Sequence, residues 1–228
     1  MKKRNLFQII AVCALLISIL LGQFPRHVSA ENYRIGDIVT FGTYEQDNNR
    51  RDGAEDIEWI VLDKKDNQIM LISRYCLDAI PYNDTLEPIN WEHTSLRRWL
   101  NEDFLETAFT RAEQRIIMAV ENENPKHDIA KTSSGRSTID RVFILNMEEA
   151  EALFDSNSDR ISGPTAYAAA RGAYVNNNNL MGWWWLRTTS FKTDHVTYVA
   201  SGGGVSYEGR EVTRDDAGVR PVIWVNVA

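Results

Sequence analysis

The chain has 228 residues, of which 43 % are hydrophobic, and carries two cysteines and a formal net charge of −7. That length supports one large hydrophobic core without help from a disulfide framework. The acidic balance argues against a nucleic-acid interface or docking on anionic lipid, both of which need a basic face.

The first thirty residues read as an address. Lys2, Lys3 and Arg4 form a basic start, Leu6 to Gly22 is an apolar run, and Val28-Ser29-Ala30 is an A-x-A-like cleavage site. The expectation is a signal peptide over 1–30 and a single domain over 31–228, secreted or on the cell surface, with membrane contact only where the leader stays uncleaved. Losing four basic leader residues carries the net charge from −7 to −11. Of the two cysteines only Cys76 then remains, between Tyr75 and Leu77, and it reads as a small buried hydrophobe with no disulfide partner.

Ile35 to Phe41 predicts an opening strand, followed by a polar loop from Gly42 to Gly53. Ile57 to Leu62 and Gln68 to Tyr75 predict a hairpin around the turn Asp63 to Asn67. Thr94 or Ser95 can cap a helix that presents Leu96, Trp99 and Leu100 on one face, and Phe104, Leu105, Ala108 and Phe109 repeat the spacing. Thr110-Arg111-Ala112-Glu113 is a capping box, predicting a further helix that carries Ile116, Ile117 and Val120 inward. Asn122 to Thr138 is polar, with Pro125 and Gly135, and reads as a long exposed loop. Val142 to Leu145 predicts a short buried strand. Asn146 caps a helix through Phe154, with Glu149 at the capping-box position. A helix should start at Pro164 and end at Gly172, and Asn176 to Asn179 reads as a loop.

Trp183-Trp184-Trp185-Leu186-Arg187 is the densest stretch. As a strand it puts Trp183, Trp185 and Arg187 on one face and Trp184 and Leu186 on the other, both too apolar to stay wet. Two readings stand: a ligand platform with Arg187 beside an open tryptophan, or a core strand whose arginine is held by an acid such as Asp140 or Glu149. The same acid pairing is expected for Arg220. Val196 to Ala200 and Val205 to Tyr207 around Gly202-Gly203-Gly204 predict a hairpin, and Gly218 to Val227 predicts one closing strand. Strands at both ends with helices between them suggest α+β with paired terminal strands.

The ordered set Phe41-Gly42 with Tyr44, Ile57 to Leu62 around Trp59, Ser95-Leu96-Arg97 with Trp99-Leu100-Asn101, Trp184-Trp185-Leu186-Arg187 and Gly218-Val219-Arg220-Pro221 resembles a secreted Gram-positive family described as a domain of unknown function, number 6273. The tryptophan strand and the Gly-Val-Arg-Pro ending are also similar to those of C-type-lectin-like domains, including the formylglycine-generating enzyme group. That resemblance implies a C-type-lectin-like α+β fold with paired terminal strands, a central Trp-rich strand and several helices, in which Trp59, Trp99, Trp184 and Arg220 are structural. Neither activity transfers with it. Glu87-Pro88-Ile89-Asn90 interrupts the sugar-reading motif of calcium-dependent lectins, and one thiol cannot supply paired active-site cysteines.

No HExxH, GxSxG, Walker A or GxGxxG motif is present, and no catalytic residue, cofactor or metal ligand set is assigned. Asp194, Glu208, Asp215 and Asp216 could converge near the tryptophans as paired carboxylates, or Asp215 and Asp216 could be a solvated turn. The expectation is an exported, non-enzymatic binding module for an envelope or extracellular glycan or peptide, with Trp183, Trp185, Arg187, His195, Tyr198 and Tyr207 as contacts. The alternatives are a carboxylate-dependent hydrolase of extracellular polysaccharide and a purely structural surface protein.

Overall fold

The computed structural model describes residues 30–227, so the expected leader, Ala30 apart, lies outside the described residues. The first sheet opens with β1 (Ile38–Tyr44), β2 (Glu55–Lys65) and β3 (Gln68–Ser73). Alternation explains β2: Ile57, Trp59 and Val61 are buried, while Glu58 and Ile60 between them are less so. The predicted hairpin forms, β2 pairing antiparallel with β3 from Trp59↔Ser73 to Lys65↔Gln68 around a tighter turn than the sequence suggested. Trp59 donates its indole N–H to the Phe41 carbonyl at 2.7 Å, tying β2 to β1.

The second sheet contains β4 (Asp78–Ala79), β8 (Trp184–Thr189), β9 (His195–Val199), β10 (Val205–Glu211) and β11 (Gly218–Val219) in the order β10-β9-β8-β11-β4. The tryptophan strand β8 is therefore central, with every residue buried. The closing segment expected as one strand is two. Its first part, β11, runs parallel to β8, and its second, β12 (Val222–Asn226), joins the first sheet between β3 and β7 (Val142–Phe143). The switch falls at Arg220-Pro221, where proline has no N–H to continue a ladder and its carbonyl instead accepts from Ser73 N at 3.0 Å. Terminal strands share a sheet but do not pair. The order is β1-β2-β3-β12-β7, because the β2–β3 hairpin occupies the place between them. The protein is thus α+β, built on two five-stranded sheets of mainly antiparallel pairs, and one cluster of buried side chains runs through both.

The helices are short. Ser95–Trp99 (α1) is capped by the Thr94 hydroxyl, which accepts from Arg97 N, and leads through a π-turn at Leu100–Phe104 into Leu105–Ala108 (α2). The capping box at Thr110 and Glu113 forms, but its helix, α3, covers only Arg111–Gln114. Beyond it Ile116 lies in a turn and Ile117 joins a sheet edge: Ile117 bridges Val225, and Met118 N donates to Trp224 O at 2.8 Å. The edge of β12 beyond β7 outcompetes the helix. Val120–Asn122 (β5) then pairs with Thr138–Asp140 (β6). Asn146 and Glu149 make the second predicted box and start α4 (Met147–Ala152). After α5 (Asn157–Arg160), α6 is Ala166–Ala170, capped by Thr165 rather than begun at Pro164, whose neighbourhood is extended against Cys76.

The stretch expected as an exposed loop, 122–138, is exposed in part, with Asn122, Asn124, His127, Ser134 and Thr138 buried among more exposed neighbours. His127 is fully buried, its Nδ1 accepting from Ile129 N and Ala130 N, which leaves Nε2 to donate to Tyr207 O at 3.1 Å. Asn124 donates to Arg136 O at 2.7 Å. Polar side chains here satisfy the loop's own backbone, so polarity does not mean exposure.

Two carboxylates, Asp140 buried and Glu149 half-buried, organise this half of the molecule. Asp140 accepts from Arg97 Nε at 2.6 Å, Trp91 Nε1 at 3.1 Å, Asn122 Nδ2 at 3.1 Å and Thr138 Oγ1 at 2.7 Å. Glu149 accepts from Arg187 Nη1 at 2.5 Å and Nη2 at 2.6 Å. The remaining Arg187 donors reach Asn124 Oδ1 at 3.0 Å, Ile144 O at 2.6 Å and Glu123 O at 3.1 Å. Of the two acids expected for Arg187, the partner is Glu149.

Because Arg187 is wholly buried, Glu149→Ala should lower stability by about 3 kcal/mol, and Arg187→Met combined with Glu149→Leu should recover part of that loss. Urea unfolding monitored by tryptophan fluorescence measures both. A second expectation concerns alkaline pH. Burial pushes the Tyr82 phenol well above its ordinary range, and burial together with Asp78 does the same to Tyr44. The folded state therefore prefers the neutral phenols, and their stabilisation is present below the unfolded pKa of about 10 and is lost as pH rises above it. Melting temperatures should fall steeply over that range, and less steeply in Tyr82→Phe.

Candidate functional site

A cleft of about 240 Å³ opens where the start of β8, the β9–β10 hairpin and the loop after α6 meet. Its walls come from Tyr174, Trp183, Tyr198, Ser201, Arg210 and the turn carrying Arg214 and Asp216. The asparagine run braces the wall that Ser201 lines. Asn176 Nδ2 donates to Ser201 Oγ at 3.0 Å and Asn179 Nδ2 to Ser201 O at 3.1 Å, while the side-chain oxygens of both cap the loop's own N–H groups.

A bulge builds the other wall. Tyr198 pairs with Ser206 but Val196 pairs with Arg210, so β10 carries extra residues between those positions. Gly209, at φ +69°, allows it: a Cβ there would sit 2.6 Å from both Ser190 Cβ and Val196 O. Arg210 follows directly. Its Cζ lies 4.8 Å from the Trp183 ring centroid and 5.0 Å from that of Tyr198, and those rings meet edge-on at 5.1 Å. Its buried Nε has no hydrogen-bond acceptor. Arg214 instead forms a two-point pair with Asp216, at 2.9 and 2.7 Å. Burial pushes the Tyr198 phenol up, but hydrogen bonds from Ser206 and Arg210 and the Arg210 charge outweigh it, and the net shift is downward.

Of the six contacts expected from sequence, the structure brings Trp183 and Tyr198 together at this cleft. Trp185 is in the core, its indole N–H on Ile80 O at 3.0 Å and its ring 6.0 Å from Tyr82. Arg187 is in the core on Glu149. His195 borders a second cleft of about 380 Å³ with Phe191, Lys192 and Glu208. Its Nδ1 lies 2.8 Å from Asp194 Oδ1, and that hydrogen bond holds the Asp194 carboxyl below its usual range. Tyr207 is elsewhere, its hydroxyl donating to Glu151. Asp194 (through His195) and Glu208 thus belong to the second cleft and Asp216 to the first, so the acids considered as a pair are divided.

The residues expected to be structural are core or near it: Trp59 and Trp184 are fully buried, and Trp99 is half-buried against Phe104 at 5.4 Å. Arg220 corrects an expectation. It is buried with no carboxylate, its Nε donating to Ser73 O at 2.9 Å and its Cζ 4.9 Å from the Trp184 ring. Burial pulls its pKa down to about 10. Carbonyls and a ring face take the place of the expected acid.

Sequence reading missed Tyr174, Ser201 and Arg210. The only signal for Arg210 was a glycine one residue earlier, in a strand too polar to look like a wall. Away from the cleft, Glu45, Asp47 and Glu55 place carboxylate oxygens within 4.8 Å of one another. These acids already accept from the loop's backbone, Glu55 from Gln46 N at 2.6 Å and Asp47 from Asn49 N at 2.7 Å.

The fold and this cleft define an α+β protein with an aromatic, arginine-centred surface depression. The family described as domain of unknown function 6273 matches residues 66–227, and the chain belongs to that family. The match contains every cleft residue named above. No curated protein and no solved structure matches the chain. Among the described residues no helix is long and apolar enough to cross a membrane.

Replacing Arg210 by Gln removes both the charge and a donor facing the Tyr198 hydroxyl. The Tyr198 phenol should then titrate at higher pH than in the parent protein, read by NMR of ring-labelled tyrosine. An unchanged titration would show that Arg210 does not act on Tyr198.

Proposed function

We propose that the protein is an exported, non-enzymatic binding module that holds part of a cell-envelope or extracellular glycan in the cleft between Tyr174 and Tyr198. The carrying observation is Arg210 set against the half-buried Tyr198 ring and the ring of buried Trp183 in the cleft wall, across from the exposed ring of Tyr174. Aromatic faces supply broad contact area at little entropic cost, and the short polar groups of Ser201 and Asp216 offer hydrogen bonds at the rim. A volume of about 240 Å³ is below the usual range for an enclosed small-molecule pocket, which suits one residue of a longer chain better than a whole metabolite.

Export is supported by the basic, apolar and small-residue succession of positions 1–30. The same proposal gives the domain a C-type-lectin-like fold within a secreted Gram-positive family. In its favour are the central tryptophan strand, the hairpin after it and the Gly218-to-Pro221 ending. The separation of the terminal strands by β2 and β3 is a departure that the proposal has to accommodate. Binding is favoured over turnover because Asp216, the carboxylate in the cleft, is already held by Arg214.

An array of envelope and extracellular glycans, followed by titration of any retained saccharide against tryptophan fluorescence, tests this. Tyr174→Ala should weaken binding about tenfold, equivalent to about 1.4 kcal/mol, without moving the melting temperature. An array that retains nothing would sink the proposal.

A further inference from the structure

The arginines of this protein meet their charge in different ways. Arg187 and Arg97 face carboxylates, and Arg220 faces carbonyls and a ring. In the cleft, Arg214 is matched to Asp216 atom for atom. The Arg210 side chain has neither a carboxylate nor a carbonyl partner among the described residues. No ion pair is recorded for it among the described residues, its Nε has no acceptor, and its charge meets two ring faces and the Tyr198 hydroxyl.

That arrangement is incomplete in a specific sense. A cation over an aromatic face gains only a modest attraction at a partly exposed site. A guanidinium opposite a carboxylate gains charge-assisted hydrogen bonds roughly twice as strong as neutral ones, with fixed geometry. The rings also hold the guanidinium in place before a ligand arrives, so little rotamer freedom remains to be lost on binding. The surrounding chain is acidic, with a formal net charge of −7, and its overall field repels anions. An unpaired cation kept at the wall of a cleft is therefore the local feature that would reverse that preference.

We infer that the ligand of this cleft is an acidic saccharide whose carboxylate pairs with Arg210, its ring lying against Tyr174 and the Trp183–Tyr198 corner. This rests on the saccharide reading above and adds the substrate class to it. A uronic acid within a polysaccharide has the required chemistry. The carboxylate of a peptide end shares the charge but lacks a ring for the aromatic wall.

The test uses the intact protein and four probes in isothermal titration: a glucuronic-acid-containing disaccharide, its methyl ester, the corresponding neutral glucose disaccharide, and a short peptide with a free terminal carboxylate. The acid should bind at least ~10-fold more tightly than the ester and the neutral sugar. Arg210→Gln should abolish that difference, and Arg210→Lys should keep part of it. Equal binding of acid and ester by the parent protein overturns the carboxylate assignment while leaving the saccharide reading in place. Binding of the peptide alone, or of none of the four, overturns both. The comparison of acid with ester needs no variant, so a folding defect in Arg210→Gln cannot blur it.

Discussion

The structure depends on the ion pair between Arg187 and Glu149. A guanidinium with no exposure to water needs an acceptor for each of its five N–H groups, and each has one. Those acceptors come from three places in the chain: Glu123 and Asn124 after β5, Ile144 after β7, and Glu149 in the first turn of α4. Glu149 simultaneously accepts from Asn146 N at 2.8 Å, so the helix cap and the ion pair are one object. Such a pair adds little stability over an apolar replacement, but its geometry admits one arrangement of the strands around it. The Arg187 main chain joins in: its N–H donates to Leu145 O at 2.9 Å and its carbonyl accepts from Tyr82 at 3.1 Å. This fixes the register of β8, and with it the point at which Trp183 emerges.

Register explains why residues on one face of a strand have different fates. Side-chain parity correctly groups Trp183 with Trp185, whose rings meet edge-on at 4.8 Å. It cannot tell depth along the strand. Trp183 stands just before β8 begins and borders the cleft, whereas Trp185, two residues on, is sealed beneath Tyr82. The candidate contacts Trp183 and Trp185 and the core arginine came from the same five residues for this reason. The sequence supported both readings of the stretch because both kinds of environment occur along it.

The parts of the fold that were legible are those set by neighbours in sequence. Both capping boxes, the β2–β3 hairpin and the β9–β10 hairpin follow from local chemistry and appear as expected. The failures are competitions decided at long range. Helix α3 stops because the edge of β12 takes Ile117, and the closing strand divides because Pro221 cannot serve two sheets in one ladder. Within the polar stretch 122–138, His127 and Asn124 are buried because they have backbone partners that no window of sequence reveals. At the site, Trp183 and Tyr198 were legible as aromatics near a hairpin. Arg210 was not, since its place depends on a bulge made possible by Gly209 and on rings from two other strands.

The cleft is also the end of something longer. From Tyr198 the rings continue through Trp183, Trp185, Tyr82 and Trp91, with successive centroids 5.1, 4.8, 6.0 and 6.0 Å apart. Trp91 then donates to Asp140 at 3.1 Å, and Asp140 is held by Arg97. The aromatic corner is thus the cleft-side end of the core stack, Trp183 buried and Tyr198 half-buried, rather than a pair of side chains free to turn. A platform anchored in this way loses little entropy when a ligand covers it, and it cannot readily reshape itself around a poor one. Adaptation is left to the rim, where the ring of Tyr174 is exposed and the asparagine loop is tied to Ser201 by side-chain hydrogen bonds. Under the proposed binding role, affinity would come from the rigid corner, and choice between related ligands from Arg210 by its charge and from the Ser201 rim that the asparagine loop braces.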